Sequence, residues 1–492
     1  MMWWRLVLLL VLVPALVTWA GAVNAQAPAP ATPDASLPMT LPTPATPAPA
    51  KPAMPMPTRA PLPAPPGIRP FPTPQELVGR ELGLEEAVNI ALENAPKIVA
   101  SIGDYVAAQQ RVNQALAPLL PQLTGQGAYG RQRTVSVGTA VGSVGFYRDF
   151  GSASVTASQL LFDFGRTWAA KDVAKSNAQA TKELLEGQKL DIAQLVKTQY
   201  FTLLLSKRLV EVNLAALDRA DINLRSAHGF FQVGTQPKSF VTRAEVDVAN
   251  GRVNVIRAQN AVNLARVALN TAMGIAVNAP TEVKDLLSYQ EFPVNRDTLV
   301  GEALQNRPEY RQVKAQAEAA DASVRQTYRD FFPNLFGSGT YGLVGVPGVA
   351  APTSRTANGF NDSQNQWNVG LNLTWTIFDG GGKIGRYKEA KANLEAAQAR
   401  VRDTELQIWQ NVEQAYLNLG EAEERIGAAQ KAVESAEENY QLARGRFDAG
   451  VANIIELTDA QLALTQAQST EAQALSDYRI SIANLERAIG RR

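Results

Sequence analysis

The sequence predicts a mainly α-helical α+β protein, built as two copies of one unit, in which membrane-crossing strands join α-helices about 100 Å long at 1.5 Å per residue. Three observations carry this prediction. The chain repeats itself at a nearly constant offset, one segment alternates strictly between apolar and polar residues, and one apolar seam recurs at helical spacing from Tyr387 to Phe447.

The repeat is collinear. Ala91-Leu92-Glu93-Asn94-Ala95-Pro96 returns as Ala303-Leu304-Gln305-Asn306-Arg307-Pro308. Pro121-Gln122-Leu123 and Tyr129-Gly130 return as Pro333-Asn334-Leu335 and Tyr341-Gly342, at the same offset of 303 − 91 = 212. Phe162-Asp163-Phe164-Gly165 returns as Phe378-Asp379-Gly380-Gly381, at 378 − 162 = 216. Phe231 to Gly234 and Met273-Gly274 return at that second offset as Phe447 to Gly450 and Ile489-Gly490. The offset changes once, between Gly342 and Phe378, so the extra residues lie in a loop there. Such regularity marks an internal duplication. Each half reads as helix, two strands, very long helix, turn, helix. The expected organisation is a signal peptide over 1–25, a Pro/Ala-rich spacer over 26–80, a first unit over 81–280, a connector over 281–297 and a second unit over 298–492.

The seam of the second long helix runs Tyr387, Ala390, Leu394, Ala397, Val401, Thr404, Ile408, Val412, Ala415, Leu419, Ala422, Ile426, Ala429, Val433, Ala436, Tyr440, Ala443, Phe447. One four-residue step, Ile408 to Val412, interrupts the heptad and locally unwinds the supercoil. The helix is expected from about Lys383 to Asp448, and its counterpart from about Arg166 to Phe230. The strand before it has Trp367, Val369, Leu371, Leu373, Trp375 and Ile377 on one face, and Asn368, Gly370, Asn372, Thr374 and Thr376 on the other. A tilted strand needs about 9–11 residues to cross a bilayer. The remaining strands are expected at Phe150–Phe162, Leu123–Arg131 and Leu335–Gly345.

Composition bounds the function. Lys+Arg 47 against Asp+Glu 46 leaves no basic stripe for nucleic acid. The absence of Cys removes disulfides, thiolate metal sites, a Cys nucleophile and a lipid anchor on Cys. His228 is the one histidine, which removes chemistry built on several, and it reads as a residue at a helix end. No phosphate loop or Gly-x-Ser-x-Gly is present. Gly380-Gly381-Gly382 is followed by Lys383 but no hydroxyl residue, and reads as a strand-to-helix joint rather than a phosphate loop. No enzyme, cofactor or metal is expected.

Arg5, the apolar run Leu6 to Val17 and the small residues Val23-Asn24-Ala25 read as a secretory signal, cleaved after Ala25 or, second, Ala22. That run falls short of the roughly 20 apolar residues of a helical span. Most of the 29 prolines lie in the spacer, which should be extended. A membrane crossing must therefore use strands. Four strands cannot close a barrel, and open edges in lipid cost several kcal/mol per unpaired group, so the chain must oligomerise. The rival is a soluble periplasmic coiled-coil scaffold or adaptor, which would leave a membrane fraction with salt or urea.

From Leu82 onward the pattern resembles the TolC-like outer-membrane efflux proteins, through the duplication, the Asn-x-Pro ends, the Phe-Asp-x-Gly junctions and the turns at the helix tips. The resemblance implies a homotrimer with a twelve-stranded barrel in the outer membrane, continuous with a twelve-helix periplasmic barrel. It implies a passive duct of a tripartite efflux or type I secretion system, working with a periplasmic adaptor and an inner-membrane pump. It assigns adaptor contact to the tips Val233-Gly234-Thr235 and Ala449-Gly450-Val451, and a pore constriction to Glu456 and Asp459. It marks Phe162, Asp163, Gly165, Phe378, Asp379 and Gly380 as strand–helix junctions. The spacing of three puts Glu456 and Asp459 on one helix face, although Glu456 also stands in capping-box relation to Asn453. Where the family's latch has Tyr, Arg and Asp, this chain has Phe447, Ala452 and Phe240, so closure would rely on packing.

Overall fold

The computed structural model describes residues 80–138, 142–345 and 363–492. These fall within one unit, Gly67–Arg492; the other unit, Met1–Pro66, which holds the expected signal peptide and most of the spacer, lies outside the described residues. The first half contains β1 (Glu81–Leu82), α1 (Leu84–Asn94), α2 (Pro96–Leu116), β2 (Gln122–Gly138), β3 (Gly142–Phe162), α3 (Arg166–Gln232) and α4 (Lys238–Met273). The second contains β4 (Glu282–Val283), α5 (Arg296–Asn306), α6 (Pro308–Arg329), β5 (Asn334–Gly345), β6 (Ser363–Thr374), α7 (Gly382–Asp448) and α8 (Ile454–Ile489).

The opening helix of each half is two helices. Ala95 and Arg307, each preceding a proline, sit at ψ 120 and 123. Proline's ring excludes the helical region for the residue before it, and then starts the next helix at its first position. The long helices α3 and α7 have 67 residues each. Every residue of the α7 seam is buried or half-buried, so its spacing correctly gave the packed face.

The helices form a layer. The start of α3 packs against α2 and α6 and its later part against α4 and α8, while α7 packs against α6 and then α8. Helix α1 lies on α3 and α4 through Ala87, Val88 and Ala91. Helix α5 lies on α7 and α8 through Leu299 and Ala303. Strands β1 and β4 pair in parallel. The Tyr200 hydroxyl, 3.0 Å from the Leu82 oxygen and 2.9 Å from that of Lys284, donates to these carbonyls and ties the pair to α3. Burial is the main cause that pushes this phenol up to about 12, so it stays a donor at physiological pH.

The remaining strands form an antiparallel sheet in the order β2-β3-β5-β6. Strand β6 differs from its expected extent: it starts at Ser363, opposite Gly345, and stops at Thr374, opposite Asn334. Pro333 precedes Asn334 and has no N–H to continue the ladder. Trp375, Thr376 and Ile377 therefore leave the sheet, and the Trp375 indole donates to the Phe331 carbonyl at 3.0 Å.

Candidate functional site

The sheet register sorts side chains onto two faces. Tyr341 is opposite Trp367 and Val155, Gly339 opposite Val369 and Ala157, and Leu335 opposite Leu373. Leu123 is opposite Ala157. That face is mainly apolar, interrupted by Gln159 opposite Gly337 and Asn365 opposite Leu343, and Trp367, Val369, Leu371 and Leu123 are exposed. The other face carries Ser154, Thr156, Ser158, Ser338, Thr340, Asn368 and Asn372 in register, and Thr156 and Thr340 share a hydrogen bond of 3.1 Å. A soluble sheet would turn its apolar face onto a core; here no described element covers it. Among the described residues no helix is long and apolar enough to cross a membrane.

Two duplicated joints carry the chain from sheet to helix. Asp163 accepts from the Thr167 N–H at 2.7 Å, and Asp379 from the Lys383 N–H at 2.8 Å. Both carboxylates thus occupy the positive end of a long helix and satisfy a donor that has no partner within the helix. Asp163 also takes the Gly165 N–H and the Thr167 hydroxyl, and Arg329 from the end of α6 donates to the Gly165 carbonyl at 2.6 Å. Gly165 and Gly380 adopt φ +83 and +70, and Phe162 and Phe378 are exposed beside them. Asp163→Ala is expected to lower stability by about 1–2 kcal/mol, the scale of a lost helix cap. Asp379→Ala, at the more exposed joint, should cost less. Urea unfolding of the detergent-purified protein checks both, and equal midpoints for wild type and Asp163→Ala would remove the capping role.

At the far end the tips are alike. The Gly234 N–H bonds the Phe231 carbonyl and the Thr235 N–H that of Phe230; Gly450 bonds Phe447 and Val451 bonds Arg446 in the same way. Both glycines are left-handed, at φ +77 and +74. This paired ending satisfies the last free carbonyls of α3 and α7. Val233, Thr235, Ala449 and Val451 are all exposed, and the two valines show 71% of their surface. Asn453 caps α8 by accepting from the Ile455 N–H at 3.3 Å. The Glu456 carboxylate does not return to Asn453 but pairs with Arg446 at 2.9 Å. Asp459 is exposed and makes no hydrogen bond or ion pair among the described residues. His228 is exposed in the last turns of α3.

A charged group that sequence reasoning missed sits where α8 ends beside the start of α6. Arg487 pairs with Asp191 at 2.7 Å and, more closely, with Glu309, which also takes the Arg307 Nε at 3.3 Å. Burial pushes the Glu309 carboxyl up, but the Arg487 hydrogen bond and charge outweigh it and hold the group below its usual range. The signal was present in the repeat: Arg307 and Arg487 stand where the first half has Ala95 and Thr271.

The family described as outer membrane efflux protein matches residues 87–275 and 299–491. The chain is 24% identical over 399 residues to the outer membrane protein TolC of Escherichia coli strain K12, covering 80% of this chain and 79% of that one. It is 26% identical over 435 residues to the alkaline protease secretion protein AprF of Pseudomonas aeruginosa, covering 82% and 83%. Among solved structures it resembles the outer-membrane channel OprN with a TM-score of 0.70 at 20% identity, over 83% of this chain and 89% of that one. It resembles VceC of Vibrio cholerae with a TM-score of 0.70 at 20% identity, over 83% and 96%. The soluble scaffold gives way to these matches. The chain belongs to the outer membrane efflux protein family, the exit ducts of efflux and secretion systems, and resides in the outer membrane with its helices extending into the periplasm.

Proposed function

We propose that three copies of this chain close into a twelve-stranded barrel over a twelve-helix wall, forming a passive duct that a periplasmic adaptor and an inner-membrane pump engage at the tips around Gly234 and Gly450. The observation that carries this is that both lateral edges of the chain are open and match in kind. Strands β2 and β6 are the outer strands of the sheet, and an unpaired strand edge is not tolerated in lipid. Below them, α4 exposes Val246, Val253, Ile256, Leu264 and Val267 along one stripe, while α7 exposes Leu406, Leu417 and Leu442 on the side away from its buried seam. Each row is a coiled-coil face without a partner in its own chain, and joining one edge to the other generates a ring. Two copies would make eight strands and three make twelve; the family resemblance favours three. AprF serves alkaline protease secretion and another relative, OpmQ of Pseudomonas aeruginosa, pyoverdine export, so a duct of this design accepts cargo handed to it by its pump.

The layer also defines an inside. Helices α1 and α5 cover one face of it. On α7, Asn411, Gln414 and Asn418 lie about half a turn away from Glu413 and Tyr416, which meet Arg296 of α5. The face without α1 and α5 is the interior of the duct. On α8, Glu456 and Asp459 precede Asn484 and Arg487 of that face by 28 residues each, four heptads, so they share its stripe. Three copies bring six carboxylates to the narrow end. Glu456 is partly neutralised by Arg446, which leaves Asp459 as the free charge favouring cations.

Single-channel recording in planar bilayers tests this. Wild type is expected to be cation-selective, and Asp459→Ala to lose selectivity and divalent block. Unchanged selectivity would discard Asp459 and keep the duct; failure of purified protein to form channels would discard the trimeric barrel.

A further inference from the structure

A cavity of about 330 Å³ lies between α3, α7, α8 and the start of α6, on the face opposite α5. Arg307, Arg487, the Asp191 carboxylate and the carboxamides of Asn411, Gln414 and Asn418 line it, beside Ala415 and Ala488. Arg307 is 8% exposed, and its Nη1 has no hydrogen-bond partner; the Nη1 of Arg487 has none either. A buried guanidinium N–H without a partner is costly and needs an explanation. The acids at hand are already engaged, since Glu309 takes the Arg307 Nε and Arg487, and Asp191 takes Arg487. Asn411, Gln414 and Asn418 make no other hydrogen bond among the described residues, so they add unused amide donors.

The duplicated half shows that the fold does not require this arrangement. There the same helix break and the same glycine approach are built with Ala95 and Thr271 in place of Arg307 and Arg487. The arginine pair is an addition to a joint that forms without it. The Arg307 guanidinium and three amides around a space of this size are donors of the kind that a tetrahedral oxyanion or a carboxylate uses.

We propose that this cavity binds a small oxyanion, or the carboxylate or phosphate group of cargo, and forms an anion station in the duct wall above the acidic tip. Only its opening to the interior rests on the duct reading; binding itself does not. Burial pulls the Arg307 guanidinium below its usual range even against the neighbouring Glu309 charge, a strain a further anion relieves.

The test is thermal unfolding of the detergent-purified full chain as sodium sulfate replaces sodium chloride at fixed ionic strength. General exclusion of sulfate from protein surface stabilises without saturating, and equally in all variants. Wild type is expected to show an added saturable rise in Tm. Arg307→Gln and Gln414→Leu should each weaken the half-saturating sulfate concentration by about tenfold or more, the scale of one charge-assisted hydrogen bond. Gln414→Leu leaves every ion pair intact, so it decides the matter if Arg307→Gln fails to fold. A wild type without a saturable component in either sulfate or acetate means the cavity holds only water and overturns the proposal, as does unchanged affinity in Gln414→Leu. Replacing sulfate with sodium acetate separates the two chemistries: saturation by acetate identifies a carboxylate site and by sulfate alone an oxyanion site. None of these readings passes through conductance, so the duct stands or falls separately.

Discussion

Gly274→Val and Gly490→Val are expected to lower stability by roughly 3–5 kcal/mol, while Gly234→Val and Gly450→Val cost only about 1–2 kcal/mol, the left-handed penalty with a branched side chain. All four glycines end a helix at nearly the same φ, between +70 and +78. They differ in what stands nearby. A Cβ on Gly274 would lie 2.8 Å from the Asn94 oxygen, and one on Gly490 would lie 3.0 Å from the Arg307 nitrogen. At Gly234 and Gly450 nothing lies within 4 Å. The obstructing atoms are backbone, held where the following proline forces Ala95 and Arg307 out of the helix. They cannot rotate away as a side chain would. The end of α4 must instead lift off the α1–α2 break, or the end of α8 off the α5–α6 break, and each movement opens a core that includes Met273 or Ile489. Urea unfolding followed by far-ultraviolet circular dichroism checks the comparison. Equal losses at all four sites would show that backbone conformation, not close approach, sets the cost.

This contrast bears on what was legible in the sequence. The matching positions Asn94-Ala95-Pro96, Gly274, Asn306-Arg307-Pro308 and Gly490 were visible as a repeat, but that the helix end docks on the helix break was not, because the two lie some 180 residues apart. Local periodicity gave the seam of α7 and both long helices, whose partners are their neighbours along the chain. It gave the apolar face of β6 but overran its end, since the ladder stops for a reason held in another strand, the Pro333 before Asn334. Asp459 and the tips were assigned through resemblance, and the structure adds that Asp459 alone of the two carboxylates is unpaired while Glu456 turns to Arg446. The Arg307–Arg487–Glu309 group was beyond pattern reading because no motif marks a cluster drawn from separate helices. Only comparing the halves residue by residue exposes it.

Phe447→Ala should raise the resting single-channel conductance, and the rise should persist between 0.1 and 1 M salt once bulk conductivity is divided out, concentrations where the Debye length falls from about 10 to 3 Å. At the latch positions this chain has apolar residues, and the structure gathers them into one core: Phe447, Tyr440, Ile454, Leu457 and Leu464 with Val241 and Ala244, flanked by Phe230, Phe240 and Ala452. Phe447 is 3% exposed and meets Phe230 edge to face at 5.6 Å, which joins the end of α7 to the end of α3. Higher up, the contacts between α3 and α8 are polar, as in Asn223 with Gln461 at 2.8 Å and Gln194 with Asn484 at 2.6 Å. Such contacts exchange for water at little net cost, about 0.5–1.5 kcal/mol each. Removing a buried Phe costs about 3–5 kcal/mol, so the tip core is a stiff link between the two hairpins of the chain. If the proposed duct closes at this end, loosening the core lets α8, and with it Asp459, move outward. Phe230→Ala should act in the same direction, and the double variant should show less than the sum, because the ring pair adds about 0.5–1.5 kcal/mol that either substitution removes. A salt-dependent rise would point instead to Arg446–Glu456 as the closing element, and an unchanged conductance in Phe447→Ala would move the gate away from the tip core altogether.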